Sequence, residues 1–183
     1  MKKLVFAIAA MFVTSASFAQ GNMKTVEVGG AAMYPNKNII ENAVNSKDHT
    51  TLVAAVKAAG LVETLQGKGP FTVFAPTNKA FEKLPAGTVE TLVKPENKET
   101  LTNILTYHVV AGRMDSQAIA EAIKKGNGVA TFNTVSGATL TAMMKGKKLI
   151  LKDEKGGVST VTIKDVYQSN GVIHVIDTVV LPN

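Results

Sequence analysis

The sequence predicts an α+β domain with a mainly antiparallel sheet, because helical periodicities gather before Gly128, β-branched runs gather after it, and the two hardly alternate. Between Asp48 and Gly60, Leu52, Val53, Val56 and Ala59 recur at helical spacing, with Asp48 as the expected N-cap and Gly60 as a left-handed stop. Pro95 opens a second helix carrying Leu101, Ile104, Leu105 and His108 on one face. A third begins near Asp115 and buries Ile119, Ala122 and Ile123. Beyond Gly128, threonine, valine and isoleucine dominate short runs bounded by turn residues. The expected strands are Val129 to Phe132, Thr139 to Met143, Lys148 to Leu151, Ser159 to Ile163, Val172 to Ile176 and Val179 to Leu181. Gly146, the pair Gly156 and Gly157, and the hairpin signal Asn170 with Gly171 mark turns between them. One early strand, Phe71 to Phe74, sits among the helices and must pair with distant partners.

The amino terminus predicts export. Lys2 and Lys3 precede an apolar run from Leu4 to Val13, and Ser17 and Ala19 are spaced as a cleavage site requires. The run is about half of what a bilayer-spanning helix needs, so residues 1–19 read as a signal peptide cleaved after Ala19. The expected localisation is secreted or periplasmic, without a membrane span. Residues 20–37 are short of large apolar side chains and read as a linker or flexible arm, with docking of Met33 and Tyr34 as the alternative. Residues 38–183 are the expected domain.

Cysteine is absent, which excludes disulfides, thiolate metal sites and a cysteine nucleophile. Removing Lys2 and Lys3 with the signal leaves 18 basic against 14 acidic residues, a net of +4. Arg113 is the lone arginine and aromatics are 5% of the chain, which disfavours nucleic acid as a partner, since its readers use arginine forks and stacking rings. The densest basic spot is Lys145, Gly146, Lys147, Lys148, a hairpin tip that reads as a charged turn protecting a sheet edge, or as a contact for acidic polysaccharide or phospholipid.

Catalytic patterns are sparse. His49, His108 and His174 are far apart and lack metal-ligand spacing, so no metal or cofactor is expected. No glycine-serine-glycine elbow or phosphate-cradling loop occurs, and Asp153 with Glu154 reads as a solvated turn.

Three segments carry a resemblance. Residues 71–85 read FTVFAPTNKAFEKLP, Tyr107 and His108 follow, and residues 171–183 read GVIHVIDTVVLPN. In order and spacing this resembles the fasciclin (FAS1) domain family over residues 38–183. The resemblance implies a β-sandwich or wedge of about seven mainly antiparallel strands, with short helices mostly in the N-terminal half packed on it. It implies adhesion and extracellular binding without general catalysis, and its interaction motif falls on Tyr107, His108, Val109 and Val110. Phe71, Phe74, Pro76, Thr77, Phe81, His174 and Asp177 fall in the two signature blocks, where they have structural work. Pro76 must end the strand and Thr77 or Asn78 can cap the helix bearing Phe81. His174 and Asp177 need hydrogen bonds in a strand buried on both faces. His108 lies on a buried face and is expected to support a surface that Tyr107 presents.

The function expected is a non-enzymatic module that binds an extracellular or envelope protein or polysaccharide. The alternatives are a carrier or sensor of a small apolar ligand held between helices and sheet, and, last, a hydrolase.

Overall fold

The structure, a computed structural model, describes residues 24–183. The expected signal peptide and its cleavage site lie outside the described residues.

The first described element corrects part of the linker reading. Strands β1 (Val26–Val28) and β2 (Ala31–Met33) form an antiparallel hairpin. Gly29 and Gly30 turn it at φ 60 and 73, a conformation nearly free for glycine alone. Val28 and Met33 enter the core, while Tyr34 stays exposed beneath the Lys37 ammonium, 5.1 Å from its ring.

Helix α1 (Ile39–Ala43) starts with a capping box in which Asn38 and Glu41 satisfy each other's backbone N–H. A 3-10 turn, Lys47–His49, leads into α2 (Thr50–Ala59). Asp48 lies within that turn and does not cap; the Thr51 N–H donates instead to Asn78 Oδ1 at 3.0 Å, a cap supplied from 27 residues away. Gly60 ends α2 in the left-handed conformation, as the sequence predicts. After α3 (Val62–Gln66) comes β3 (Phe71–Pro76), then α4 (Asn78–Glu82), which Thr77 caps by accepting from the Ala80 N–H. A loosely packed α5 (Thr88–Leu92) precedes a 3-10 turn at Pro95–Asn97 and α6 (Lys98–Tyr107). Then follow β4 (Val109–Ala111) and α7 (Ser116–Lys125), capped by Asp115.

The chain closes with β5 (Val129–Asn133), β6 (Thr139–Lys145), β7 (Lys148–Lys152), β8 (Val158–Gln168) and β9 (Gly171–Ile176). The main sheet has seven strands in the order β4-β3-β9-β8-β7-β6-β5, and only the β3–β9 pair is parallel. A bridge from Val110 to Thr134 and a bond from the Val135 N–H to the Val109 carbonyl at 2.7 Å draw the two edges together, so the sheet nearly closes on itself.

Two expectations about the end of the chain need correction. Val179 to Leu181 is not a strand: the Val180 N–H donates to His108 Nε2 and the Leu181 N–H to Asp153 Oδ2, so side chains replace a ladder. The β8–β9 hairpin turns on Ser169 and Asn170, with Gly171 already paired to Gln168. Gly171 is needed for proximity, since a Cβ there would lie 2.2 Å from the Phe71 carbonyl oxygen.

β3 and β9 are buried on both faces. Val73, Ala75, Ile173 and Val175 pack toward β1, β2, α1–α3 and α6, whereas Phe74 and Ile176 pack with Tyr107, α7 and β5–β7. A smaller cluster joins Ala80 and Phe81 of α4 to Val179.

Candidate functional site

The segment expected to make contacts lies inside the protein. Tyr107, His108, Val109 and Val110 have relative exposures of 0%, 3%, 6% and 5%. The expectation that Tyr107 presents a surface is therefore corrected: its side chain is fully buried in this conformation. The Tyr107 hydroxyl donates to the Thr139 carbonyl at 2.7 Å and accepts from the Glu154 N–H at 3.3 Å, tying α6 to two turns of the sheet. Burial foremost raises its pKa to about 12. Glu154 in turn accepts from the Thr139 N–H and hydroxyl, and these bonds hold its carboxyl below the usual range.

His108 caps α6 and bridges two parts of the chain. Its Nε2 accepts from the Val180 N–H at 3.2 Å, so Nδ1 carries the proton and donates to the Ile104 carbonyl at 2.8 Å. Burial lowers its pKa to about 4, against smaller upward effects from Ile104 and Asp153. The tyrosine and histidine rings meet edge to face at 6.5 Å.

The signature blocks are used in the same way. Phe71 starts β3 opposite Gly171, Phe74 stacks on His174 at 5.6 Å, Pro76 ends the strand, and Phe81 is buried beneath α4. His174 Nδ1 accepts from the Asp165 N–H at 3.3 Å, so its Nε2–H donates to the Met114 carbonyl at 2.8 Å; burial foremost lowers its pKa. Asp177 accepts from the Thr160 N–H at 2.8 Å and lies 3.9 Å from the Lys83 ammonium.

Sequence reasoning missed two polar centres. Asn170 accepts from the Ile39 N–H at 3.0 Å and donates to the Leu65 and Gly67 carbonyls, both at 2.8 Å, pinning α1 and α3 to the last hairpin. The Asn-Gly pair marks this place in the sequence, yet what matters is the amide side chain. The second is a serine–histidine contact, Ser46 Oγ to His49 Nδ1 at 2.9 Å. It lacks the layout of a hydrolytic dyad. Ser46 and His49 are 2% and 4% exposed, and among the described residues no carboxylate orients the ring and Nε2 has no hydrogen-bond partner. The His49 pKa is lowered, chiefly by burial.

Two spaces adjoin these residues. One, of about 70 Å³, runs among Met33, His49, Val56, Leu65, Leu105 and Ile173 between helices and sheet, room for about two waters. The other is a cleft of about 290 Å³ bounded by Phe81, Leu84, Leu92, Ile104, His108 and Leu181. Among the described residues no group of histidines and carboxylates is arranged to hold a metal ion.

A nearly closed seven-stranded sheet flanked by helices, with Tyr107, His108, His174 and Asp177 engaged in internal bonds, defines an α+β scaffold class of protein. The chain belongs to the fasciclin domain family, whose profile matches residues 47–182. It is 48% identical over 168 residues to Protein sll1483 of Synechocystis, covering 90% of this chain and 86% of that protein. It is 35% identical over 163 residues to the cell surface glycolipoprotein MPB83 of Mycobacterium bovis, covering 85% of this chain and 64% of that one. Among solved structures, a FAS1 domain pair from the insect cell adhesion molecule Fasciclin I matches with a TM-score of 0.71 at 17% identity, over 80% of this chain and 51% of that one. That likeness shows the fold.

Proposed function

We propose that the chain is an exported binding module that recognises a protein or polysaccharide at a cell surface or matrix through its exterior, without catalysing a reaction. The observation that carries this reading is the fate of the signature side chains: Tyr107, His108, His174 and Asp177 are all engaged in bonds that hold the scaffold together. Kinship to a protein named for the cell surface supports the location. Among the described residues no helix is long and apolar enough to cross a membrane. Immobilised protein titrated with envelope and matrix fractions should show saturable binding at micromolar concentration, and a flat response would refute the reading. Mass analysis of the exported protein should find Gln20 at its amino terminus.

A second reading, a carrier of a small apolar ligand, is favoured by the cleft of about 290 Å³, close to the lower size of ligand pockets. Native mass spectrometry of protein taken from its own compartment tests it, and a bare mass would exclude it.

A further inference from the structure

The β6–β7 hairpin ends in Lys145, Gly146, Lys147 and Lys148, and Lys145 lies directly opposite Lys148 in the ladder. Like charges in that position destabilise a hairpin. Protection of a sheet edge does not account for them, because β6 lies between β5 and β7, and β7 between β6 and β8; neither is an edge strand. The topology brings two more cations to the same end. Met143, near the end of β6, pairs with Val129 at the start of β5, and Lys124 and Lys125 close the helix α7 that runs into that strand.

All five lysines are exposed, and among the described residues the one ion pair is Lys83 with Asp177. Residues 120–151 contain a single acidic residue, Glu121. Residues 24–183 hold 18 basic and 14 acidic groups; setting aside the five lysines and Glu121 leaves 13 of each. The entire net charge of +4 therefore resides at one end of the sheet.

We propose that this end docks an acidic polysaccharide, one bearing uronate or sulfate groups. The proposal rests on the surface-binding reading above and names the chemistry of the partner. Lysine is a compact point charge suited to loosely placed carboxylates and sulfates. Neither arginine nor an aromatic ring occurs from Gln117 to Phe132 or from Asn133 to Lys148 other than Phe132, which is buried, so the forks and stacking platforms of nucleic-acid readers are missing. A bilayer is disfavoured because Ile119 and Ile123, the apolar face of α7, are spent in the core. Val129 and Met144, at 43% and 42% exposure, leave little to insert.

The full chain should be titrated with polygalacturonate, dextran sulfate and uncharged dextran at low and high salt. Saturable binding to at least one charged polymer, weakened by salt, is expected, with none to uncharged dextran. Each lysine removed should cost about fivefold in affinity, taking about 1 kcal/mol per lysine beside an anionic surface. The Lys145→Ala, Lys147→Ala, Lys148→Ala variant should then bind about a hundredfold more weakly, and the matching arginine variant nearly as well as the parent. Thermal melts check folding, and Lys124→Ala with Lys125→Ala, expected to lose about 25-fold, stands in if the triple variant fails to fold. The proposal is overturned by no binding to either charged polymer, by equal binding to uncharged dextran, by undiminished binding in a folded alanine variant, or by tighter binding to phosphatidylglycerol vesicles. If the lysine variants still capture the partner from envelope fractions, this docking face is wrong while the surface-binding reading stands.

Discussion

Acid should destabilise this protein through His108, and the size of the effect follows from its surroundings. The ring is buried and neutral, donating to the Ile104 carbonyl while accepting from the Val180 N–H. Protonating Nε2 puts a second donor against that N–H and a charge into the core. Its pKa falls from 6.5 to about 4, so the unfolded chain binds the proton more readily than the folded one. Stability then rises with pH, and it is lost as pH falls from 6.5 through about 4. At about 1.4 kcal/mol per pKa unit the full loss approaches ~3 kcal/mol, and roughly 2 kcal/mol is gone by about pH 5. Burial also lowers the pKa values of His174 and His49, and both act in the same direction. His108→Gln separates them, because an amide can donate to Ile104 and accept from Val180 without titrating. Urea unfolding at neutral pH and near pH 5 should show the parent losing about 2 kcal/mol more than the variant over that interval. Equal losses in both would refute the assignment of the acid sensitivity to His108.

Asn170→Ala removes one acceptor and two donor bonds at once and leaves the Ile39 N–H and two carbonyls unpaired; a loss of about 3 kcal/mol or more is expected in chemical denaturation. Gly171→Ala places a methyl 2.2 Å from the Phe71 carbonyl oxygen, so β3 and β9 must separate, and a cost of about 2 kcal/mol or more should appear as a lowered melting temperature. Tyr107→Phe keeps the ring and deletes the hydroxyl bonded to Thr139 and Glu154; about 1–2 kcal/mol should be lost with the circular dichroism spectrum unchanged.

What was legible in the sequence was whatever repeats locally. The stripe from Leu101 to His108, the Asp115 cap and the Gly60 stop all depend on residues within two or three turns of one another, and all appear in the structure. β8 runs longer than its alternation indicated because register shifts near Ile163, and a positive φ of 60 at Asp165, break the period while the strand continues. β1 and β2, three residues each and built partly on alanine, are too short to show a period, and the Gly29–Gly30 turn between them lies in a stretch whose composition reads as a linker. Tyr107 was misplaced for a different reason. A phenol can be fully buried only if its hydroxyl finds partners, and these stand 32 and 47 residues further along the chain.

The same distance effect hides the charged end of the sheet. A net of +4 spread evenly over the described residues is mild, and the sequence presents it as two separate runs, Lys124–Lys125 and Lys145–Lys148. Only the pairing of Val129 with Met143 brings both runs to one end, where the local density of charge far exceeds the average. Screening acts over about 10 Å at ordinary ionic strength, so gathering five charges at one end changes what the surface attracts, whereas the same five dispersed would act nearly alone. The proposed polyanion contact thus depends on topology more than on composition, and two lysine runs placed at opposite ends of the same scaffold would keep the net charge while losing the local density on which that proposal rests.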